Sequence, residues 1–121
     1  MNSKNPSLYL HAYRTAIALH IELEKNSALL NKEQVDKLKN GSREVLGCLA
    51  EADSRRTPKA YRYFLYRAQD ALHSLLLDIE FYQDTQLIPL EPYKAIYKEY
   101  EAVGRKIYLK AKTILEQPVG V

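Results

Sequence analysis

Apolar residues recur along this chain at spacings of three and four, in four long runs separated by short polar or proline-bearing breaks. That period places them on one face of an α-helix. The first run, about 7–26, has Leu8, Ala12, Leu19 and Leu23 on one stripe and Tyr9, Tyr13, Ala16 and His20 beside it. The second, about 32–53, carries Val35, Leu38, Ser42, Val45, Leu49 and Ala52. The third, about 58–85, carries Tyr61, Phe64, Leu65, Ala68, Leu72, Leu75, Ile79 and Tyr82. The fourth, about 90–116, carries Tyr93, Ile96, Tyr97, Tyr100, Gly104, Ile107, Ala111 and Ile114.

The breaks have helix-boundary chemistry. Asn31 is placed as an N-cap with Gln34 as its capping-box partner. Thr57 is a good N-cap, and Pro58 suits a first helical position. No alternating run bounded by a hairpin turn reads as a strand. Helices of about 30–40 Å joined by loops of a few residues must run antiparallel to their neighbours. The pattern therefore predicts an all-α, up-down-up-down antiparallel four-helix bundle, one domain over 1–121.

Composition narrows the setting. A chain of 121 residues is long enough to bury a core without disulfide or metal staples. Its single cysteine, Cys48, has no internal partner, which fits a reducing cytosol. No apolar signal region and no membrane-length apolar stretch is visible. The expectation is a soluble, cytoplasmic protein with no membrane contact.

Charge changes the picture more. The net charge is only +3. In an up-down bundle, however, the starts of helices 1 and 3 share one end with the finishes of helices 2 and 4. Residues 1–15, 43–68 and 104–121 hold twelve bases and four acids, a surplus of +8; the remainder holds six bases and eleven acids, −5. The densest part is SRRTPKAYRYFLYR at 54–67, where Arg55, Arg56, Lys59, Arg62 and Arg67 interleave with Tyr61, Tyr63, Phe64 and Tyr66. Helix 3 starts basic and finishes acidic, against the preference of its macrodipole by about 0.3–1 kcal/mol per well-placed charge. Helix stability alone would not select that order.

Two readings of this end stand side by side. Basic groups, helix N-termini and nearby aromatic rings suit a nucleic-acid backbone. Equally, cations favour the end of helix 2, Glu51 pairs with Arg55 at i, i+4, and Tyr61, Phe64 and Leu65 stand at core spacing. Tyr63 and Tyr66 are then the rings left to face outward. Arg105, Lys106 and Lys110 support the basic end from helix 4. Glu51 reads as an orienter of Arg55, and Thr57 as a structural cap.

Catalytic chemistry is sparse. Di-metal helical bundles use Glu-x-x-His on two helices, and the nearest match here is a single Asp70-x-x-His73. His11, His20 and His73 do not pair at zinc spacing. Cys48 reads as a packed small hydrophobe. The expectation is a protein that is not an enzyme, with no catalytic residue, metal or cofactor. Gly47 and Gly104 each cost about 1 kcal/mol against Ala inside a helix, which predicts close helix–helix approach there. Ten tyrosines, six of them on helices 1 and 4, exceed what one core needs and predict a homo-oligomer.

The run LAEADSRRTPKAYRYFLYRAQDALHSLLLDIEF carries a family resemblance. Ala50 and Glu51, then Arg55, Arg56, Thr57 and Lys59, then Tyr61, Phe64, Leu65 and Ala68 follow a helix 2–3 junction pattern. Leu72 and Leu75 continue it, and Val103, Gly104, Arg105, Lys106 and Ile107 resemble its helix 4 turn. The pattern is that of the four-helix bundle protein family encoded by intervening sequences in bacterial 23S ribosomal RNA genes. The accessory protein of diversity-generating retroelements is a distant relative. Ala52, Ala71 and Ser74 depart from the usual Gly, Ser and Glu. The resemblance spans about 6–116. It implies a ring-shaped homopentamer, binding of RNA or DNA, and contact with a reverse transcriptase or another protein. The alternative expectation is a protein-interaction scaffold whose basic face meets an acidic protein and has no nucleic-acid role.

Overall fold

The computed structural model describes residues 6–25 and 29–115, with the side chains of 6, 114 and 115 left aside. It contains four helices: α1 (Pro6–Lys25), α2 (Lys32–Ser54), α3 (Pro58–Asp84) and α4 (Tyr93–Leu115). No strand occurs among the described residues. Each helix packs on its chain neighbour and α1 closes on α4, so the order around the bundle is α1–α2–α3–α4. Cross-helix pairs show that neighbours are antiparallel. Glu24 near the end of α1 meets Lys39 early in α2, and Lys37 meets Asp78 late in α3. Tyr97 early in α4 reaches Glu80, and Lys106 late in α4 reaches His11 early in α1.

The boundaries follow their caps. Asn31 Oδ1 accepts from the Gln34 N–H at 2.8 Å, and the Asn31 N–H donates to Gln34 Oε1 at 2.9 Å, a complete capping box. Thr57 Oγ1 accepts from the Ala60 N–H at 3.1 Å, with Pro58 at N1. At the end of α3 the Leu87 N–H returns to the Tyr82 carbonyl at 2.8 Å and the Gln86 N–H to that of Gln83 at 3.0 Å, a Schellman closure. Its left-handed residue is Gln86, at φ 63°.

One core runs the length of the bundle, with Leu19, Leu38, Val45, Ala68, Leu72, Ile79, Tyr93, Val103 and Ile107 fully enclosed. Helix α4 begins at Tyr93, three residues after the expected start. Pro89 and Pro92 lie in the connection, and a residue before proline is pushed out of the α region. The buried line of α4 passes through Val103 rather than Gly104, while Phe64 and Tyr97 are only half-buried. Tyr13 points outward, and Ile114 lies outside the described side chains.

Glycine separates two cases that looked alike in sequence. A Cβ at Gly104 would stand 3.2 Å from Leu72 Cδ2, so α3 and α4 do approach closely there. A Cβ at Gly47 would meet nothing within 4 Å among the described residues, so close approach there does not explain this glycine. Gly47→Ala is expected to raise the unfolding free energy by about 0.5–1 kcal/mol, through helix propensity and a stiffer unfolded chain. Urea unfolding of the two proteins measures it; an unchanged midpoint would contradict an open site.

Candidate nucleic-acid interface

The α2–α3 connection takes only Arg55, Arg56 and Thr57, so it cannot fold away from the bundle end. The four cations Arg55, Arg56, Lys59 and Arg62 are gathered at this end. Arg56 and Lys59 are exposed and Arg62 half-buried, and none of the three makes a hydrogen bond or ion pair among the described residues. Arg55 is different. Its guanidinium donates to the Glu51 carboxylate and lies over the Phe64 ring, 4.6 Å from the centroid. Glu51 thus orients Arg55, and Phe64, half-buried against the core, has this arginine over its ring.

Other cations from the sequence reading do not join this cluster. Arg67 lies in the third turn of α3, about 14 Å along the helix from Pro58. It lies over Tyr63 at 5.9 Å and donates to the Tyr63 hydroxyl at 3.4 Å, a contact that raises its pKa. Arg105 stands midway along α4, beside the point where Gln69 Nε2 reaches the Gly104 carbonyl at 3.5 Å. Lys106, the next residue, faces α1 instead: its ammonium donates to His11 Nδ1 at 2.9 Å. His11 therefore carries its proton on Nε2 and donates to Glu99 at 2.5 Å. Lys110 is half-buried beside Leu8 and Leu109. The basic surface is a compact cap at the α2–α3 junction with outliers on three flanks.

The helix terminus contributes less than its position promised. In the first turn of α3, Pro58 has no N–H, the Ala60 N–H is held by Thr57 Oγ1 and the Tyr61 N–H by the Thr57 carbonyl. Only the Lys59 N–H is left without an acceptor among the described residues. Side-chain cations, not the helix end, dominate here. Of the rings, Tyr61 is buried at 1% exposure while Tyr63 and Tyr66 keep 54% and 42%, so those two are the exposed rings here, Tyr63 with Arg67 over one face.

Two polar groupings were not visible in the sequence. The Lys106–His11–Glu99 string joins residues up to 95 positions apart. The other is His20 with Ser42, Nε2 to Oγ at 2.8 Å. Ser42 donates its proton to the Lys39 carbonyl at 2.8 Å, so His20 Nε2–H is the donor to Ser42. That polarity is the reverse of a nucleophile and its general base. Burial lowers the His20 pKa, with the positive charges of Arg43 and Lys39 adding to it. Cys48 is buried, and burial raises its thiol pKa. No group of three or more His, Cys, Asp or Glu side chains among the described residues could hold a metal ion. No described helix is long and apolar enough to cross a membrane.

Comparison of the chain with family models, with curated proteins and with solved structures returned no match.

Proposed function

We propose that this is a non-enzymatic, oligomeric helical-bundle protein that binds RNA or DNA through the basic cap at the α2–α3 junction. The carrying observation is that Arg56, Lys59 and Arg62 stand at one bundle end with no hydrogen-bond or ion-pair partner among the described residues. Cations held in that way attract phosphates without reading sequence. Tyr63 and Tyr66, exposed on the same third of α3, add ring faces for unstacked bases. In a cyclic oligomer, the homopentamer of the resembling family, every cap lies on one face and the cations form a charged ring. A reverse transcriptase or another protein is the further partner that the resemblance implies.

Binding to mixed-sequence RNA and DNA at two salt concentrations tests this reading. Affinity is expected to fall steeply as salt rises, and Arg56→Ala/Lys59→Ala/Arg62→Ala to weaken binding about tenfold or more while flattening the salt dependence. Arg105→Ala, on another flank, is expected to change little. No binding at about 50 mM salt would falsify the proposal. Binding to an acidic polypeptide alone would establish the scaffold reading instead.

A further inference from the structure

Helix α1 carries apolar side chains on both faces. Its inner stripe is core. Its outer stripe, Leu10, Tyr13, Ile17 and Ile21, remains 43–48% exposed. Spacings of three, four and four make this a continuous ridge about 16 Å long. The ridge leans toward α2, where Leu46 and Arg43 complete an apolar furrow.

The opposite side of the bundle has the matching shape. Between α3 and α4 lies a groove of about 540 Å³, walled by Leu72, Leu76, Tyr108 and Leu109. Gly104 contributes no side chain to its floor. Tyr108 and Leu109 stay 54% and 60% exposed. The groove extends from Tyr100 to Leu109 along α4, about 14 Å, close to the length of the ridge.

The charges also match. Arg14 stands within the ridge and Arg43 beside it. Glu101 lines the groove, and Asp70 is exposed one turn before its His73. None of these four has a hydrogen-bond or ion-pair partner among the described residues. Arg105 is the one cation lining the groove.

We infer that the α1 ridge of one copy seats in the α3/α4 groove of the next. This rests on the oligomeric part of the proposed function and is independent of nucleic acid. A helix laid into an apolar groove is a common recognition mode, read out at i, i+3, i+4 and i+7 anchors. A second copy is the occupant because the same chain supplies both shapes and both unpaired charge signs. Ridge and groove lie on opposite sides, so the contact is heterologous: a joined pair still has one ridge and one groove free between its two copies, and assembly continues until a ring closes, or runs on as an open filament where the rotation does not close.

Mixing two variants tests it without any nucleic acid. Ile17→Glu removes the ridge and keeps the groove; Leu109→Glu removes the groove and keeps the ridge. Both positions are exposed, and circular dichroism checks that each variant is folded. The parent is expected to sediment as a closed oligomer at micromolar concentration, and each variant alone as a monomer. The one-to-one mixture is expected to form a dimer and stop there, since each partner keeps one working surface. Arg14→Glu is expected to weaken assembly and Glu101→Arg to restore it. A monomeric parent, an oligomeric Leu109→Glu or a mixture that stays monomeric each overturns the inference. Loss of nucleic-acid binding with assembly intact would bear on the basic cap alone.

Discussion

Leu72→Ala is expected to lower the unfolding free energy by about 2–5 kcal/mol, well above the roughly 1 kcal/mol of an average substitution. Leu72 is fully buried in the part of the core where α3 meets α4. The side chain has little room to be replaced by its neighbours, because Gly104 opposite it has no side chain to move in. The transfer and cavity terms therefore both apply. The pairing gives a sharper test through a double-mutant cycle. In the parent, Gly104→Ala sets a helix-propensity gain of about 1 kcal/mol against a Cβ placed 3.2 Å from Leu72 Cδ2. In the Leu72→Ala protein that obstruction is gone, and Gly104→Ala is expected to be stabilising. A coupling energy near zero in urea unfolding would show that α3 and α4 do not meet at this pair.

Stability is expected to fall as pH rises above 10. Tyr93 and Tyr100 are 0% and 1% exposed, and neither hydroxyl has a hydrogen-bond partner among the described residues. Burial pushes the Tyr93 pKa up to about 12, with the Glu22 charge adding to it. Burial raises the Tyr100 pKa further; the nearby Ser42 hydroxyl opposes this weakly, since it donates its proton to the Lys39 carbonyl and falls short of a hydrogen bond to Tyr100. In the unfolded chain both phenols titrate near 10. Between pH 10 and 12 the unfolded state has released protons that the folded state keeps. The unfolded state binds fewer protons in that window, so unfolding is favoured as pH rises. Below pH 10 the contribution is fully present. Each phenol can steepen the slope by up to about 1.4 kcal/mol per pH unit. Tyr93→Phe and Tyr100→Phe are each expected to flatten it, and at pH 7 to be neutral or stabilising by about 1 kcal/mol, since a buried hydroxyl without a partner is removed. Denaturant unfolding at pH 7, 9 and 11 separates the two effects. A parent as stable at pH 11 as at pH 9 would refute the phenol argument.

The candidate site was only partly legible. Local signals served well where chemistry is local. Thr57 and Pro58 mark a helix start through capping geometry, and Glu51 reaches Arg55 because residues four apart face each other on a helix. Tyr63 and Tyr66 were recognisable as outward-facing by their register against Tyr61 and Leu65. The end of α3 was less clear, because the left-handed position of its Schellman closure holds Gln86 where a glycine would have been a signal. Arg67, Arg105 and Lys106 carry the right charge for the basic cap, yet side-chain direction, unlike side-chain charge, is set by rotation around a packed helix. Adjacent residues Arg105 and Lys106 are turned toward different neighbours, α3 and α1.

By itself the sequence determined four helices, their caps, their antiparallel order and the polarisation of charge along the bundle. These follow from period, boundary residues and loop length, all of which act within a few positions. Tertiary structure decided what each polar or small residue faces. It tied Lys106 to His11 and set His20 against Ser42. It explained Gly104 by Leu72 and left Gly47 open. It also put the α1 ridge and the α3/α4 groove on opposite sides of one molecule. Such outcomes depend on residues dozens of positions apart meeting in a packed bundle, and no local pattern encodes which pairs will meet.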